Sequence, residues 1–241
     1  MKNFIYLISF ILLFSCKQVS DSSIQKYSKS DTLKTSKTNI HTIKIGNQIW
    51  MTSNLNVSKF SNGDEIVEAK TAEEWKAANI GSRPAWCYYD YDPSNGVKYG
   101  KLYNWFAVYD KRGLIPEGFR IPNLSDWNAL QKKLGGRLIA GNKLKCNSEW
   151  TYRKIDDKTH INETGFNAFP SGYRNFWGDF STKYEYAFFW CNSPDSIVNF
   201  FVLQSESTFF YHSIYEDISY SKIEEKHASR GLGMSIRCIK N

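Results

Sequence analysis

The stretch GFRIPNLSDWNALQKKLGG, residues 118–136, constrains the fold most, because it predicts a strand, a turn and a capped helix together. Pro122 keeps the residue before it extended, so 119–121 is predicted to be a short strand. Asn123 is a good helix N-cap, and Asp126 complements the exposed amides of the first turn. The Gly-Gly pair ends the helix. Its predicted buried stripe consists of Leu124, Trp127, Leu130 and Leu134.

Other local signals in the first half predict a hairpin and two further helices. TIKIGNQIWM, residues 42–51, alternates around a tight Gly-Asn turn, which is typical of a β-hairpin. Thr71 and Glu74 have capping-box spacing, and Gly81 closes that helix. YGKLYNWFAVYD, residues 99–110, is predicted to be a helix on the spacing of its apolar residues. The segment AWCYYDYD between these two helices is strand-like.

The second half changes to short, aromatic, β-prone segments separated by turns. They are GYRNFWGDF (172–180), EYAFFWC (185–191), IVNFFVL (197–203) and STFFYHSIY (207–215). The chain closes with GMSIRCIKN, in which apolar residues alternate with Ser235 and Arg237. Helices followed by many strands predict an α+β domain.

The N-terminus has the build of an export signal. Lys2 precedes an apolar run that is too short to span a bilayer as a mature helix. The sequence Leu-Phe-Ser-Cys ending at Cys16 resembles the lipobox of bacterial lipoproteins, in which the cysteine is acylated, for example with palmitate. Residues 1–15 are therefore predicted to be a signal peptide and Cys16 the lipid attachment site, with a plain secretory signal as the alternative. The predicted location is the cell envelope, at the outer membrane of a Gram-negative bacterium.

Residues 16–40 are predicted to be the lipidated cysteine and a flexible tether, because they are rich in Ser, Thr and Lys and poor in large apolar residues. The tether lysines either sit near anionic headgroups or are simply solvated. The whole chain carries a net charge of +7, but residues 41–241 account for only +3 of it. Without a basic cluster, a nucleic-acid partner is not expected. Residues 41–241 are predicted to be a single domain.

Four cysteines follow Cys16, namely Cys87, Cys146, Cys191 and Cys238. An even number in an oxidising compartment favours disulfides, and three pairings are possible. No CxxC spacing occurs, so a zinc site is not expected.

Several blocks in order resemble the Fibrobacter succinogenes major paralogous domain, a family of exported proteins. The blocks are IGNQIWMTSNLNV, WCYYDYDP, YGKLYNWFAV, PEGFRIPNLSDW, AGNKLK, NETGFNAFPSGYRN and GMSIRC. GFRIPNLSDW and the closing strand also look like parts of the formylglycine-generating-enzyme group. That resemblance implies a C-type-lectin-like fold, with two or three helices, a small mixed or antiparallel sheet and long loops. It also implies nested disulfides, the outer one joining Cys87 to Cys238 and the inner one joining Cys146 to Cys191.

The sequence departs from the catalytic pattern of the formylglycine-generating group. That group uses paired cysteines and copper, whereas Cys191 and Cys238 lie far apart in sequence and no nearby motif matches. The scattered histidines have no metal-ligand spacing; they are His41, His160, His212 and His227. We therefore expect no enzymatic activity and no cofactor, with an oxidoreductase-like relative of that group as the least favoured alternative.

A calcium-dependent lectin would carry the sugar-binding motifs Glu-Pro-Asn and Trp-Asn-Asp, and neither is present. Asp90, Asp92 and Asn95 have oxygen ligands at plausible spacing for calcium. The rest of an EF-hand loop is missing, so an Asx-rich turn is the favoured interpretation.

The abundance of aromatic residues is the remaining clue, with 8 Trp, 15 Tyr and 16 Phe. Most are expected in the core. Trp177, Phe209, Phe210 and Tyr211 are candidates for solvent-facing platforms that stack on sugars or anchor a protein. The function predicted is noncatalytic binding of a glycan or an envelope protein by a membrane-anchored lipoprotein. The alternative is a structural or assembly component of the cell surface without a small ligand.

Overall fold

The structure, a computed structural model, describes residues 40–151, 161–192, 198–204, 210–215 and 229–241. All of them belong to one compact unit, Asn39–Asn241. Cys16, the predicted signal peptide and most of the predicted tether lie outside the described residues. Within the described ranges, no helix combines the length and apolar character needed to cross a membrane.

Helices and strands are mixed, as predicted for an α+β domain. The described ranges contain five α-helices: α1 (Ala72–Ile80), α2 (Ser94–Tyr99), α3 (Trp105–Val108), α4 (Leu124–Lys133) and α5 (Ala140–Leu144). The first six strands are β1 (Thr42–Ile45), β2 (Gln48–Met51), β3 (Val67–Glu68), β4 (Ala85–Cys87), β5 (Leu102–Tyr103) and β6 (Phe119–Arg120). The remaining strands are β7 (Tyr173–Arg174), β8 (Phe180–Ser181), β9 (Tyr186–Cys191), β10 (Val198–Gln204), β11 (Phe210–Tyr215) and β12 (Ile239–Lys240).

The strands form four small sheets. One has the order β1-β2-β12-β6, so the final strand lies beside the N-terminal hairpin. The others are β3-β4-β5, the hairpin β7-β8, and the antiparallel sheet β11-β10-β9. The predicted N-terminal hairpin is confirmed, because Ile45 pairs with Gln48 across a two-residue turn that includes Gly46 at φ +62°.

The predicted strand-to-helix junction is confirmed. The Asn123 side chain accepts a hydrogen bond from the Asp126 amide at 2.9 Å, and the Asp126 carboxylate accepts one from the Asn123 amide at 2.8 Å. Trp127 and Leu130 are fully buried. Leu124 was wrongly included in the buried stripe, since it is 41% exposed at the first position of α4.

The predicted helix over 99–110 is largely wrong, because this stretch forms strand β5 followed by the single-turn helix α3. Asn104 separates the two elements. Its side-chain oxygen accepts from the amides of Ala85 and Ala107, each at 3.0 Å, and its amide donates to the Arg83 carbonyl at 2.9 Å. The bond from Ala107 makes Asn104 the N-cap of α3, and the bonds with the distant Ala85 and Arg83 hold it in place, whereas the local apolar spacing alone favours a continuous helix.

The C-terminal segment is buried on both sides, contrary to the predicted alternation. Ser235 and Arg237 are fully buried. The Arg237 guanidinium donates to the Asn54 side-chain oxygen at 2.7 and 3.0 Å, to the Met51 carbonyl at 3.2 Å and to the Phe166 carbonyl. A buried charge needs such partners, and here they come from two distant parts of the chain, around residues 51–54 and at Phe166.

One large cluster of the core lies against one face of β9 and β10. Trp127 stacks on Phe201 with ring centroids 4.9 Å apart, and Trp50 contacts Trp127 at 4.7 Å. Phe189 joins the same group at 5.8 Å from Trp127. These rings are fully buried, and we call this side of the β9–β10 pair the closed face.

Candidate functional site

The opposite side of β9 and β10 carries a cleft of about 320 Å³, which lies at the lower end of the range for small-molecule sites. We call this side the open face. Five aromatic side chains line the cleft: Tyr173, Phe176, Trp177, Phe188 and Phe200. The other described lining residues are Asn175, Ser229, Leu232 and Met234, so the described lining carries no charge.

Strand register brings the aromatic floor of the cleft together. Phe188 pairs with Val202, and Phe200 pairs with Trp190, so the two phenylalanines are diagonal neighbours on one side of the sheet. Their ring centroids are 5.9 Å apart. Tyr173, on β7, contacts Phe188 edge-on at 5.0 Å. The floor is thus a continuous aromatic surface drawn from three strands.

A tight turn between β7 and β8 presents Trp177. The Asn175 side-chain oxygen accepts from the amides of Gly178 and Asp179, each at 2.9 Å, and its side-chain amide donates to the Asp179 carboxylate at 3.0 Å. Gly178 has φ +104°, and a Cβ there would lie 2.6 Å from the Ala72 Cα. The turn is therefore fixed by short-range bonds, and it leaves Trp177 45% exposed at the cleft.

A buried arginine on β7 also stabilises this turn by donating hydrogen bonds to backbone carbonyls. The fully buried Arg174 donates from Nε to the Gly178 carbonyl at 3.1 Å. Its two terminal nitrogens donate to the carbonyls of Ala69, at 3.3 Å, and Thr71, at 2.7 Å. The planar guanidinium suits such fixed, branched donation. It ties the turn to the backbone that leads into α1.

Helix α1 holds both walls of the cleft. The Trp75 indole nitrogen donates to the carbonyls of Asn175 and Gly231, each at 3.0 Å. The Asn79 amide donates to the Phe176 carbonyl at 3.2 Å and to Gly231 at 3.1 Å. A Cβ at Gly231 would lie 2.3 Å from the Phe176 ring, so this wall requires glycine. The walls are thereby set at a fixed separation.

A single cation lies beside the exposed indole in the described contacts. The Lys76 ammonium sits 4.5 Å from the Trp177 ring centroid, within range of a cation–π interaction. This contact adds a second constraint on the indole besides the turn.

The predicted aromatic candidates fall in different places. Trp177 lies at the cleft. Phe209 lies outside the described residues. In the register of β10 and β11, Phe210 is opposite Leu203 and Tyr211 is opposite Val202, so the two occupy positions on opposite sides of the sheet.

Sequence reasoning missed four aromatic members of the cleft, which are Tyr173, Phe176, Phe188 and Phe200. For Phe188 a signal was present in the sequence, because alternation within EYAFFWC places Phe188 and Phe189 on opposite sides of the strand. The pairing of β9 with β10, which the sequence does not reveal, completes the floor.

The calcium candidate does not form a coordinating cluster. The Asp92 carboxylate accepts from the Ser94 amide at 2.8 Å and from the Ser94 hydroxyl at 2.6 Å. The Asn95 side-chain oxygen accepts from the Lys183 ammonium at 2.9 Å. Asp90 lies in the left-handed region at φ +53°. This arrangement matches the Asx-rich turn, and the described residues hold no group of three or more His, Cys, Asp or Glu able to bind a metal ion.

No disulfide joins Cys87, Cys146, Cys191 or Cys238, which are all buried, so neither predicted disulfide is formed. Cys87 packs in the small cluster with α1, whereas Cys238 packs in a different cluster with β10 and α3. Cys146 and Cys191 share the cluster of the closed face but are not bonded to each other. Cys87 and Cys238, the predicted outer pair, therefore lie in different hydrophobic clusters.

Burial also suppresses the reactivity of these thiols. It raises the pKa of Cys87 to about 11 and the pKa of Cys191 and Cys238 to about 12. Thiolates are the nucleophilic and metal-binding form, so these three cysteines stay protonated near neutral pH.

The two histidines within the described ranges lie on different strands or strand ends. His41 is exposed at the start of β1, and His212 lies within β11. His160 and His227 lie outside the described residues.

A family model, the Fibrobacter succinogenes major domain, matches residues 43–240. A search of curated proteins and a search of solved structures each found no match. The match covers most of the chain and contains every residue of the cleft and its supports. The chain therefore belongs to the Fibrobacter succinogenes major domain family.

Proposed function

We propose that this protein is a cell-envelope lipoprotein whose folded domain is a noncatalytic, glycan-binding module. Residues 1–15 are the signal, Cys16 carries the lipid, and residues 41–241 bind the ligand in the aromatic cleft. The observation that supports this proposal is the cleft on the open face, where the partly exposed rings of Tyr173 and Phe188 lie beside the half-exposed Trp177.

A sugar ring suits the chemistry of this cleft. The C–H faces of a pyranose pack against aromatic rings, whereas its hydroxyl groups need hydrogen-bond partners. Trp177 and Tyr173 supply aromatic surface, and Asn175 and Ser229 supply polar groups. The described lining itself carries no charge, although Lys76 lies beside Trp177, and an uncharged lining favours a neutral glycan.

The size of the cleft favours a glycan over a folded protein partner. A stable protein interface buries about 800 Å² on each partner, whereas this cleft has the volume of a small-ligand site. The raised pKa values of Cys87, Cys191 and Cys238 support a noncatalytic role, because paired-cysteine chemistry needs accessible thiolates.

We also propose that the fold is C-type-lectin-like. Two features support this assignment. The last strand pairs with the N-terminal hairpin, where Ile239 lies opposite Trp50, and the two longest described helices are α1 and α4. An experimental structure that superposes on C-type-lectin-like domains through these elements is the expected result. A different connectivity of β2 and β12 would contradict it.

The binding proposal is tested with the unit Asn39–Asn241, which contains every element described above. The fluorescently labelled unit is applied to an array of neutral and acidic oligosaccharides. We expect a saturable signal that Trp177→Ala abolishes. Tyr184→Ala is the matched control, because Tyr184 is a similarly exposed aromatic, at 42%, outside the cleft lining. No signal on any glycan, or equal loss in both variants, would contradict the proposal. Pulldown of a stoichiometric envelope protein without glycan binding would favour the alternative.

The lipoprotein part of the proposal has its own test. Cys16→Ser in the full chain should leave unprocessed precursor or release soluble protein, and it should remove acyl-label incorporation. Unchanged detergent partitioning and acyl labelling in this variant would show that Cys16 is not the anchor. Fractionation of the wild-type cell envelope tests the proposed outer-membrane location.

A further inference from the structure

The cleft is more polar at its mouth than inside. Trp177 is half-exposed at the mouth, and Tyr173 lies beside it with a partly exposed ring. Two partly exposed apolar side chains, Phe188 and Leu232, line the cleft as well. The inner end is closed by buried apolar side chains, which are Phe176, Phe200 and Met234. A ligand that fills the cleft therefore has to direct an apolar group inward.

The polar groups at the mouth can bind the hydroxyl groups of a sugar. No described residue forms a hydrogen bond with the Trp177 indole N–H or with the Tyr173 hydroxyl. Asn175 has a second amide N–H beyond the three hydrogen bonds that hold its turn. The mouth thus offers two N–H donors and one hydroxyl to a ligand.

The walls farther in have little hydrogen-bonding capacity left. The carbonyls of Asn175, Phe176 and Gly231 already accept hydrogen bonds from α1. Ser229 is almost fully buried and already has an interaction partner. A hydroxyl group placed inside the cleft would therefore lose its bonds to water without full replacement.

Building on the proposed glycan-binding function, we propose that the cleft selects a 6-deoxyhexose, a neutral sugar whose C6 is a methyl group. The methyl group lies inside the cleft against Phe188 and Leu232. The ring hydroxyls stay at the mouth, where Tyr173, Trp177 and Asn175 bind them. The ligand class is thus a neutral glycan that presents a 6-deoxyhexose at its end.

Other common sugars suit the inner end less well. An ordinary hexose would bring its C6 hydroxyl into an apolar space, whereas a methyl group gains from the same burial. An N-acetyl group also carries a methyl, but its amide N–H and carbonyl need two further partners. A 6-deoxyhexose brings the methyl group without an added polar atom.

The test compares two pairs of sugars in NMR titrations of the unit Asn39–Asn241. L-fucose is compared with L-galactose, and L-rhamnose with L-mannose, because the members of each pair differ only in the C6 hydroxyl. We expect the 6-deoxy sugar of at least one pair to bind at least about tenfold more tightly than its partner. Saturation transferred from the protein should be strongest at its C6 methyl protons.

Leu232→Asn tests the inner end directly. The new amide offers hydrogen bonds to the C6 hydroxyl, so this variant should lose most of the preference for the 6-deoxy sugar. Leu124→Asn is the matched control, because Leu124 is exposed on α4 and lies outside the cleft lining. It should keep the preference of the wild type. Where Leu232→Asn fails to fold, the sugar pairs and the saturation transfer in the wild-type unit decide.

The outcomes separate this inference from the cleft proposal. Equal binding within both pairs, or tighter binding of the hydroxymethyl sugars, would overturn the selection of a 6-deoxyhexose and leave the cleft proposal standing. Tighter binding of N-acetylglucosamine than of either 6-deoxy sugar would do the same, as would saturation transfer that is weakest at the methyl protons. No binding of any sugar, in these titrations or on the array, would overturn both.

Discussion

The two faces of the β9–β10 pair are both aromatic, yet they differ in what covers them. Phe189 and Phe201 on the closed face are fully buried under Trp127. On the open face, Phe188 and Phe200 are flanked by Tyr173 and the Trp177 turn, which leave a cleft between them. Phe188 and Phe189 are adjacent in β9, yet the first lines the cleft and the second packs in the buried core.

The difference teaches that aromatic content does not by itself indicate a binding surface. The closed face is covered by a helix whose buried stripe fits against the sheet. The open face is bordered by a turn and by the segment after residue 229, and α1 fixes both of these borders. A pre-formed cleft requires such rigid borders, since a mobile border would add an ordering cost to binding.

The largest expected effect comes from opening the closed face. Trp127→Ala removes a fully buried ring that contacts Trp50, Phe189 and Phe201. The free energy of unfolding should fall by about 3–5 kcal/mol, measured by urea denaturation. Where the variant is still folded, its glycan affinity should match that of the wild type. A loss below about 1 kcal/mol would mean that the closed face is not the main core.

An intermediate effect is expected from loosening the turn of the open face. Asn175→Ala removes two hydrogen bonds to backbone amides and one to Asp179, and it should lower the unfolding free energy by about 1–2 kcal/mol. Glycan affinity should fall although Trp177 is retained, because the indole is no longer held in place and the cleft loses a polar side chain of its lining.

Asn62→Ala is the matched control for the turn. Asn62 also accepts a hydrogen bond from a nearby amide, that of Asp64 at 3.0 Å, in an exposed turn outside the cleft lining. Its substitution should leave glycan affinity unchanged. Equal affinities for Asn175→Ala and the wild type would show that the turn does not position Trp177.

A smaller stability effect is expected from Trp177 itself. Trp177 is 45% exposed, so Trp177→Ala should change the unfolding free energy by less than about 1 kcal/mol while abolishing glycan binding. Thermal unfolding and the glycan array on the same samples separate these two quantities. A large loss of stability would instead assign Trp177 to the core.

The reactivity of the cysteine thiols can be measured without changing the stability of the protein. Without reductant, the folded unit should show almost no reaction of its four cysteines with a thiol reagent, because all are buried. Burial raises the pKa of Cys191 and Cys238 to about 12, so the folded protein should stay unreactive at pH 8. In denaturant, four thiols per unit should react. Two or none would demonstrate disulfides, as the family resemblance suggested.

Local signals predicted the parts of the fold that depend on neighbouring residues. Pro122, Asn123 and Asp126 specify the start of α4 within five positions, and the structure has the predicted capping box. The hairpin around Gly46 and the α1 cap at Thr71 are local in the same sense. Each involves partners no more than a few residues apart.

Features that depend on distant partners could not be predicted. Arg237 is buried because Asn54 and Phe166, far away in sequence, accept its hydrogen bonds. The cleft has the same origin, because Trp177 faces solvent only where Arg174 and α1 fix its turn. The aromatic pattern identified Trp177 as a candidate, but it could not tell Phe188 from Phe189 without knowing which face is covered.

The most direct test follows the tryptophans on both faces in one experiment. The unit is labelled with fluorotryptophan, and its fluorine resonances are assigned with Trp177→Phe, Trp127→Phe and Trp50→Phe. A glycan identified on the array is then titrated. The account predicts that the Trp177 resonance shifts along the binding curve, while the resonances of Trp127 and Trp50 stay in place. Binding that shifts Trp127 or Trp50 and leaves Trp177 unchanged would contradict it.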